Sequence, residues 1–229
     1  MRYSEFERII SAERMSRYVH ACGGNTRKAM TLYKYNIDLS QVMFAIICHF
    51  EVALRNAIDA ILKSQLGAEW LKEAAQPGGL FDTASTRIDY INISKSYNNL
   101  ISSGLYSHSK LLASLDFGFW KYQYAPTRFR LTGQRLMRVF PFKARSSATN
   151  QYNHSYIFNE LDKINTLRNR IAHHEPVCFP AQGAAIYTLY IKTEYQKIMT
   201  LFQWMGIDSR DLLYGLDHVN EICRKMDKL

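Results

Sequence analysis

Arg168, Asn169 and His173 place a permanent cation, an amide and a proton carrier within five residues of one another, about one and a half turns of helix. A histidine titrating near neutrality can take up and return a proton, and a guanidinium beside it can hold anionic oxygens in a fixed geometry. That combination suits proton transfer at a phosphodiester. RNA brings its own nucleophile, the 2′-hydroxyl, so neither a metal nor a cofactor is required. The competing reading is structural: a basic helix end whose His and Arg complement the negative pole of the dipole. Spacing alone gives this second reading the edge.

The element that must position these residues is a helix predicted from Tyr156 to Ala172 and stopped by Pro176. Leu161, Ile164, Leu167 and Ile171 recur at helical spacing and define its buried face. At about 100° per residue Arg168 leaves the helix about 40° from Ile164, on the rim of that face. A guanidinium there needs an anionic neighbour, either a carboxylate of the fold or a substrate phosphate. Asn169 and His173 share a more polar face, so the amide can orient the imidazole. Arg168 and His173 diverge by about 140° on an ideal helix. A distorted last turn before Pro176, or a second subunit, would bring them together. His174 shares a face with Arg170 and is read as a terminal residue whose side chain bonds free carbonyls at the helix end.

Another long helix is predicted from Asp38 or Ser40 to Lys63–Leu66, with Gly67 as its stop. Met43, Ile46, Ile47, Phe50, Leu54, Ile58 and Ile61 give it an apolar surface, against which Glu51, Arg55 and Asp59 form an i, i+4 ladder. The ladder is either a solvated run of ion pairs or a source of a partner, Glu51 or Arg55, for Arg168 or substrate. Ahead of it come a helix from Ser4, with Glu7 in capping-box spacing, to Ala21, and a short one from Asn25 to about Tyr35. After it come a helical fragment at Trp70–Ala75, the loop Gln76–Gly79, and weakly periodic helices within 83–114. Phe117 to Tyr124 is an aromatic cluster, followed by Arg128, Arg130, Arg135 and Arg138. These could form a stacking platform with a phosphate-binding stripe, although buried aromatics beside a solvated basic face is the favoured alternative. Ala181–Trp204 and Ser209–Met226 read as closing helices. No repeat or composition break divides 1–229, which is read as a single all-α domain of about eight helices.

Bulk properties agree. The 229 residues carry 29 Lys and Arg against 20 Asp and Glu, a net charge of +9, so nucleic acid is the first partner to consider. Only 11 glycines and 5 prolines punctuate the chain, which favours helices over many short strands. Cys22, Cys48, Cys178 and Cys223 are too scattered for a zinc knuckle or a disulfide framework, and suit reduced thiols in a cytoplasm. No signal peptide or membrane span is expected, since Arg2, Glu5, Glu7 and Arg8 interrupt the start and His49, Glu51 and Arg55 the most apolar run. A glycine-rich phosphate loop, a G-x-S-x-G elbow and an H-E-x-x-H pair are all missing. His20, His49, His108, His154 and His218 lack ligand spacing.

Leu32-Tyr33-Lys-Tyr-Asn36-Ile-Asp-Leu-Ser40, continuing through Glu51-Val-Ala-Leu-Arg55-Asn56-Ala-Ile-Asp59, resembles the N-terminal half of Abi-like (abortive infection) proteins. Leu167-Arg-Asn-Arg-Ile-Ala-His-His-Glu-Pro176 resembles their C-terminal signature, a form of the R-x4-6-H motif of HEPN domains, and Phe117-Gly-Phe-Trp120 the aromatic segment between. The matching motifs lie at about 30–66 and 156–180. The resemblance implies an HEPN-like helical bundle with extra helices, usually dimeric, whose paired motifs form a metal-independent endoribonuclease centre leaving a 2′,3′-cyclic phosphate. It implies a toxin-like effector of antiviral defence, with an antitoxin partner, protein or RNA, left unidentified. By position, Arg168, Asn169 and His173 become the catalytic set, with Glu51, Arg55 and His174 as supporting residues. Arg170 joins Arg128, Arg130, Arg135 and Arg138 as RNA contacts. The tyrosine that some HEPN toxins carry two residues after the motif histidine is replaced here by Glu175. A non-catalytic RNA-binding or interaction module on the same fold is the alternative.

Overall fold

The computed structural model describes residues 1–180 and 182–229, among which every regular element is helical. In chain order these are α1 (Tyr3–Ile10), α2 (Ala12–Ala21), α3 (Thr26–Leu66), α4 (Trp70–Ala74), α5 (Arg87–Ser102), α6 (His108–Ser114), α7 (Phe117–Tyr122) and α8 (Pro126–Leu131). A 3-10 turn (Leu136–Val139) precedes α9 (His154–Ala172), α10 (Leu189–Trp204), α11 (Ser209–Leu212) and α12 (Val219–Met226). The all-α expectation holds. Several boundaries differ from those read in the sequence, each for a physical reason.

The first predicted helix is two. Ser11 adopts φ 90° and its hydroxyl accepts the Arg14 N–H at 3.2 Å, capping α2. The expected Ser4–Glu7 capping box is not formed; Glu5 accepts the Arg2 N–H instead, at 3.2 Å, and Glu7 takes the Tyr3 hydroxyl. Asn25 does cap the next helix, accepting the Lys28 N–H at 3.0 Å. That helix continues for 41 residues with no break between Tyr35 and Ser40. No glycine or proline occurs from Thr26 to Leu66, and Asn36, which could have competed for its own backbone, is engaged elsewhere. By length and composition α3 could cross a bilayer, but Met43, Ile46, Ile47, Phe50, Leu54, Ile58 and Leu62 are fully buried within the protein. The last predicted helix is also divided, into α11 and α12, around Gly215 at φ 75°.

The chain forms two compact units, Met1–Cys48 with Thr166–Thr200 and Asp208–Leu229, and His49–Asn165 with Leu201–Ile207. In the first, Tyr18 packs edge-on against Phe179 and Tyr33 at centroid distances of 5.0 and 5.3 Å. Asp227 ties α12 to the start of α10 through Thr188 and Lys192, both at 2.7 Å. In the second, Phe50 meets Phe117 and Phe202, and α4 packs on α5 and α6. Trp70, Phe81, Phe119, Trp120 and Tyr124 fill its interior.

Candidate functional site

The Arg-Asn-x-x-x-His run lies at the C-terminal end of α9, which the buried Ile157, Leu161, Ile164, Leu167 and Ile171 fix in place. Helical bonding continues through the motif: the His173 N–H donates to Asn169 O at 2.9 Å. The last turn is therefore not distorted, and within one chain Arg168 and His173 keep their wide divergence of about 140°. The helix then closes with His174 in the left-handed region at φ 57°. Its N–H reaches Ile171 O at 2.9 Å, and the Glu175 N–H reaches Arg170 O at 2.8 Å. This is a Schellman ending with histidine in the position usually taken by glycine. The expected role of His174 as a terminal residue is met by its backbone, not by imidazole bonds to carbonyls. Its own carbonyl accepts from the Arg14 guanidinium.

Arg168 is half-buried on the rim, as its helical angle requires. Its Nη1 stands 3.5 Å from Asn169 Oδ1, at the limit of a hydrogen bond. Among the described residues it has no carboxylate partner, so the first of its two expected neighbours, a carboxylate of the fold, is not found there. Asn169, His173 and His174 are exposed. No side-chain hydrogen bond joins Asn169 to His173 among the described residues; the amide faces the arginine instead.

On α3, Glu51 and Arg55 are half-buried, and the Arg55 Nε is enclosed without a hydrogen-bond acceptor. The expected ladder does not continue to Asp59. That carboxylate is buried and accepts from Lys63 Nζ, Trp70 Nε1 and His108 Nε2, at 2.7, 2.8 and 2.7 Å. Burial pushes the Asp59 carboxyl up, yet the three donors outweigh it and hold the group below its ordinary range. His108 is thus a core residue with a partner 49 positions away.

The basic stretch divides as well. Arg130, Arg135 and Arg138 are exposed. Arg128 pairs with buried Asp89 and lies over the Tyr122 ring at 4.9 Å, so its charge is already used by the fold. Phe117, Phe119, Trp120 and Tyr124 are buried, leaving only Tyr122 exposed. The aromatics are core, not a stacking platform. Arg170 is engaged too, with Pro176 O at 2.7 Å, Glu175 at 3.4 Å and the Tyr190 ring at 5.3 Å.

Thr166 and Arg170, one turn apart on α9, line a cleft of about 690 Å³ together with Arg17, Glu175, Tyr187 and Tyr190. Of this group only Arg170 carried a ligand role in the sequence. Thr166 lies beside it on α9, and the others come from α2, the segment after α9, and α10. Among the described residues no group of three or more His, Cys, Asp or Glu could hold a metal ion.

No curated protein and no solved structure matches this chain. The family model for Abi-like protein matches residues 1–178, which takes in every helix from α1 to α9 and ends just beyond the Arg168–His173 turn. The chain belongs to the Abi-like protein family.

Proposed function

We propose that this protein is a metal-independent endoribonuclease of the HEPN type, acting as an abortive-infection effector in defence against phage. The observation that carries the reading is the Arg168 guanidinium, half-buried beside Asn169 and lacking a carboxylate among the described residues. Arg128 and Arg170, by contrast, are paired with Asp89 and Glu175. A half-buried cation without an internal counter-charge is suited to an anionic ligand.

In the reaction the RNA 2′-oxygen attacks phosphorus, the 5′-oxygen leaves, and a 2′,3′-cyclic phosphate remains. Arg168 holds the non-bridging oxygens, and their negative charge is met by fixed donors in the transition state. His173, exposed at the helix end, carries the proton that leaves the 2′-oxygen or reaches the 5′-oxygen. The two side chains diverge on a regular helix, so a complete centre combines Arg168 of one copy with His173 of a second. Two-fold pairing generates two such centres at once. The test is incubation of the pure protein with total RNA in EDTA, followed by mapping of the cleaved ends. Cyclic phosphate ends support the reading. Intact RNA that is nonetheless retained by the protein would favour a binding module on the same fold.

A further inference from the structure

We propose that the cleft between α9 and α10 is a nucleotide subsite, taking one base and phosphate of an RNA strand beside the His173 end of α9. The proposal rests on the reading of the chain as acting on RNA and deepens it. Its volume of about 690 Å³ falls in the range of pockets that enclose small organic ligands.

Two kinds of group meet there. Arg17 brings a guanidinium that has no carboxylate partner among the described residues and whose donors are only partly used. Arg17 gives Nε to Gly183 O and Nη2 to Pro180 O, while Arg170 is taken up by Pro176 O and Glu175 and shapes the wall. A guanidinium has five donors, so Arg17 keeps N–H groups for a phosphate while its carbonyl bonds hold it rigid. Tyr187 and Tyr190 bring rings. Tyr190 already lies under Arg170. Tyr187 is 43% exposed, and among the described residues its ring meets neither another ring nor a cation. An open ring on the wall of a cationic cleft offers what a nucleobase needs, a stacking face next to phosphate donors.

Helical geometry puts His173 on the same side of α9 as this cleft. Thr166 lines it, and His173 is seven residues further along a helix whose bonding is unbroken, about 20° from Thr166 around the axis. Arg168 lies on another side, about 160° from Thr166. A strand passing the imidazole therefore meets the Thr166–Arg170 face, not the Arg168 face. This cleft would set the base preference of cleavage.

The test uses the full chain and a 2′-O-methyl RNA hexamer, which cannot be cleaved, with binding measured by calorimetry in EDTA. Tyr187→Ala should weaken binding by about tenfold or more, the range for losing one base–aromatic stack. Tyr187→Phe, which keeps the ring, should bind as the parent does. So should Tyr214→Ala, a change at a 90% exposed tyrosine outside the cleft. Unchanged binding in Tyr187→Ala overturns the subsite, as does free AMP binding as tightly as the hexamer, which would make the ligand a free nucleotide. Cleavage of unmodified RNA is scored separately. Tyr187-dependent binding without cleavage leaves the subsite standing and sinks only the ribonuclease. Cleavage with Tyr187-independent binding does the reverse.

Discussion

The Asn36 side chain accepts the backbone N–H of Val177 at 2.8 Å, across 141 positions of sequence. The same oxygen takes the Cys178 N–H at 3.1 Å, and the amide is 2% exposed. One residue of α3 thus fixes the path of the chain just after the His173–His174 turn. Asn36→Ala would leave two buried N–H groups without an acceptor. It should cost about 2–4 kcal/mol, seen as a lower urea midpoint. An unchanged midpoint would remove the amide from this role.

Asp59 joins α3 to α4 and α6 through Trp70 and His108. Because its folded pKa is lowered, its contribution is fully present above the unfolded value of about 3.9. It is lost as pH falls through the lower folded value. Asp59→Asn should cost about 3 kcal/mol at pH 7, the low end for breaking a buried pair. It should also flatten the fall in stability below about pH 4. Parallel acid-unfolding curves for the two proteins would show that other carboxylates govern the transition.

Arg168→Ala should abolish RNA cleavage while changing stability by no more than about 0.5 kcal/mol, as for surface positions without a buried partner. With no carboxylate beside it among the described residues, nothing in the fold is left uncompensated by its removal. Arg168→Lys should not restore activity, because an ammonium lacks the planar fork that holds two oxygens. Full cleavage by the lysine variant would end the phosphate-clamp assignment.

His173 and His174 should separate by role. His173→Ala should reduce cleavage by at least ~100-fold with little change in melting temperature, since the imidazole is exposed. His174→Gly should keep cleavage and raise stability by about 0.5–1 kcal/mol, because φ 57° suits glycine better than any residue with a Cβ. If instead His174→Gly is inactive and His173→Ala is not, the motif must be read with His174 as the proton carrier.

A homodimer should form at micromolar concentration, since a regular α9 cannot bring Arg168 and His173 of one chain to the same phosphate. Mixing Arg168→Ala with His173→Ala protein should then restore some cleavage through hybrid dimers holding one intact centre. Sedimentation showing only monomer, with no such rescue, would require both groups to act from a single chain.

The sequence by itself determined the helical class, some of the helix ends and the place of the motif. Asn25 and Gly67 mark the limits of α3, and Leu161, Ile164, Leu167 and Ile171 mark the inner face of α9. These are local signals: a cap, a stop and a 3.6-residue period each act within about four residues. From them followed the rim position of Arg168 and its wide angle to His173. Tertiary structure decided everything that depends on which distant groups meet. The break expected after Tyr35 is bridged because Asn36 finds its partners at Val177 and Cys178. Asp59 turns from the expected ladder to Trp70 and His108, Arg128 is taken by Asp89, and Arg168 is left without a counter-ion among the described residues. The cleft walls come from Arg17, Thr166 and Tyr187, whose spacing along the chain carries no period. A charge is neutralised by whatever packing brings within a few ångströms, and packing is a property of the whole fold. A helix signal is complete within one turn.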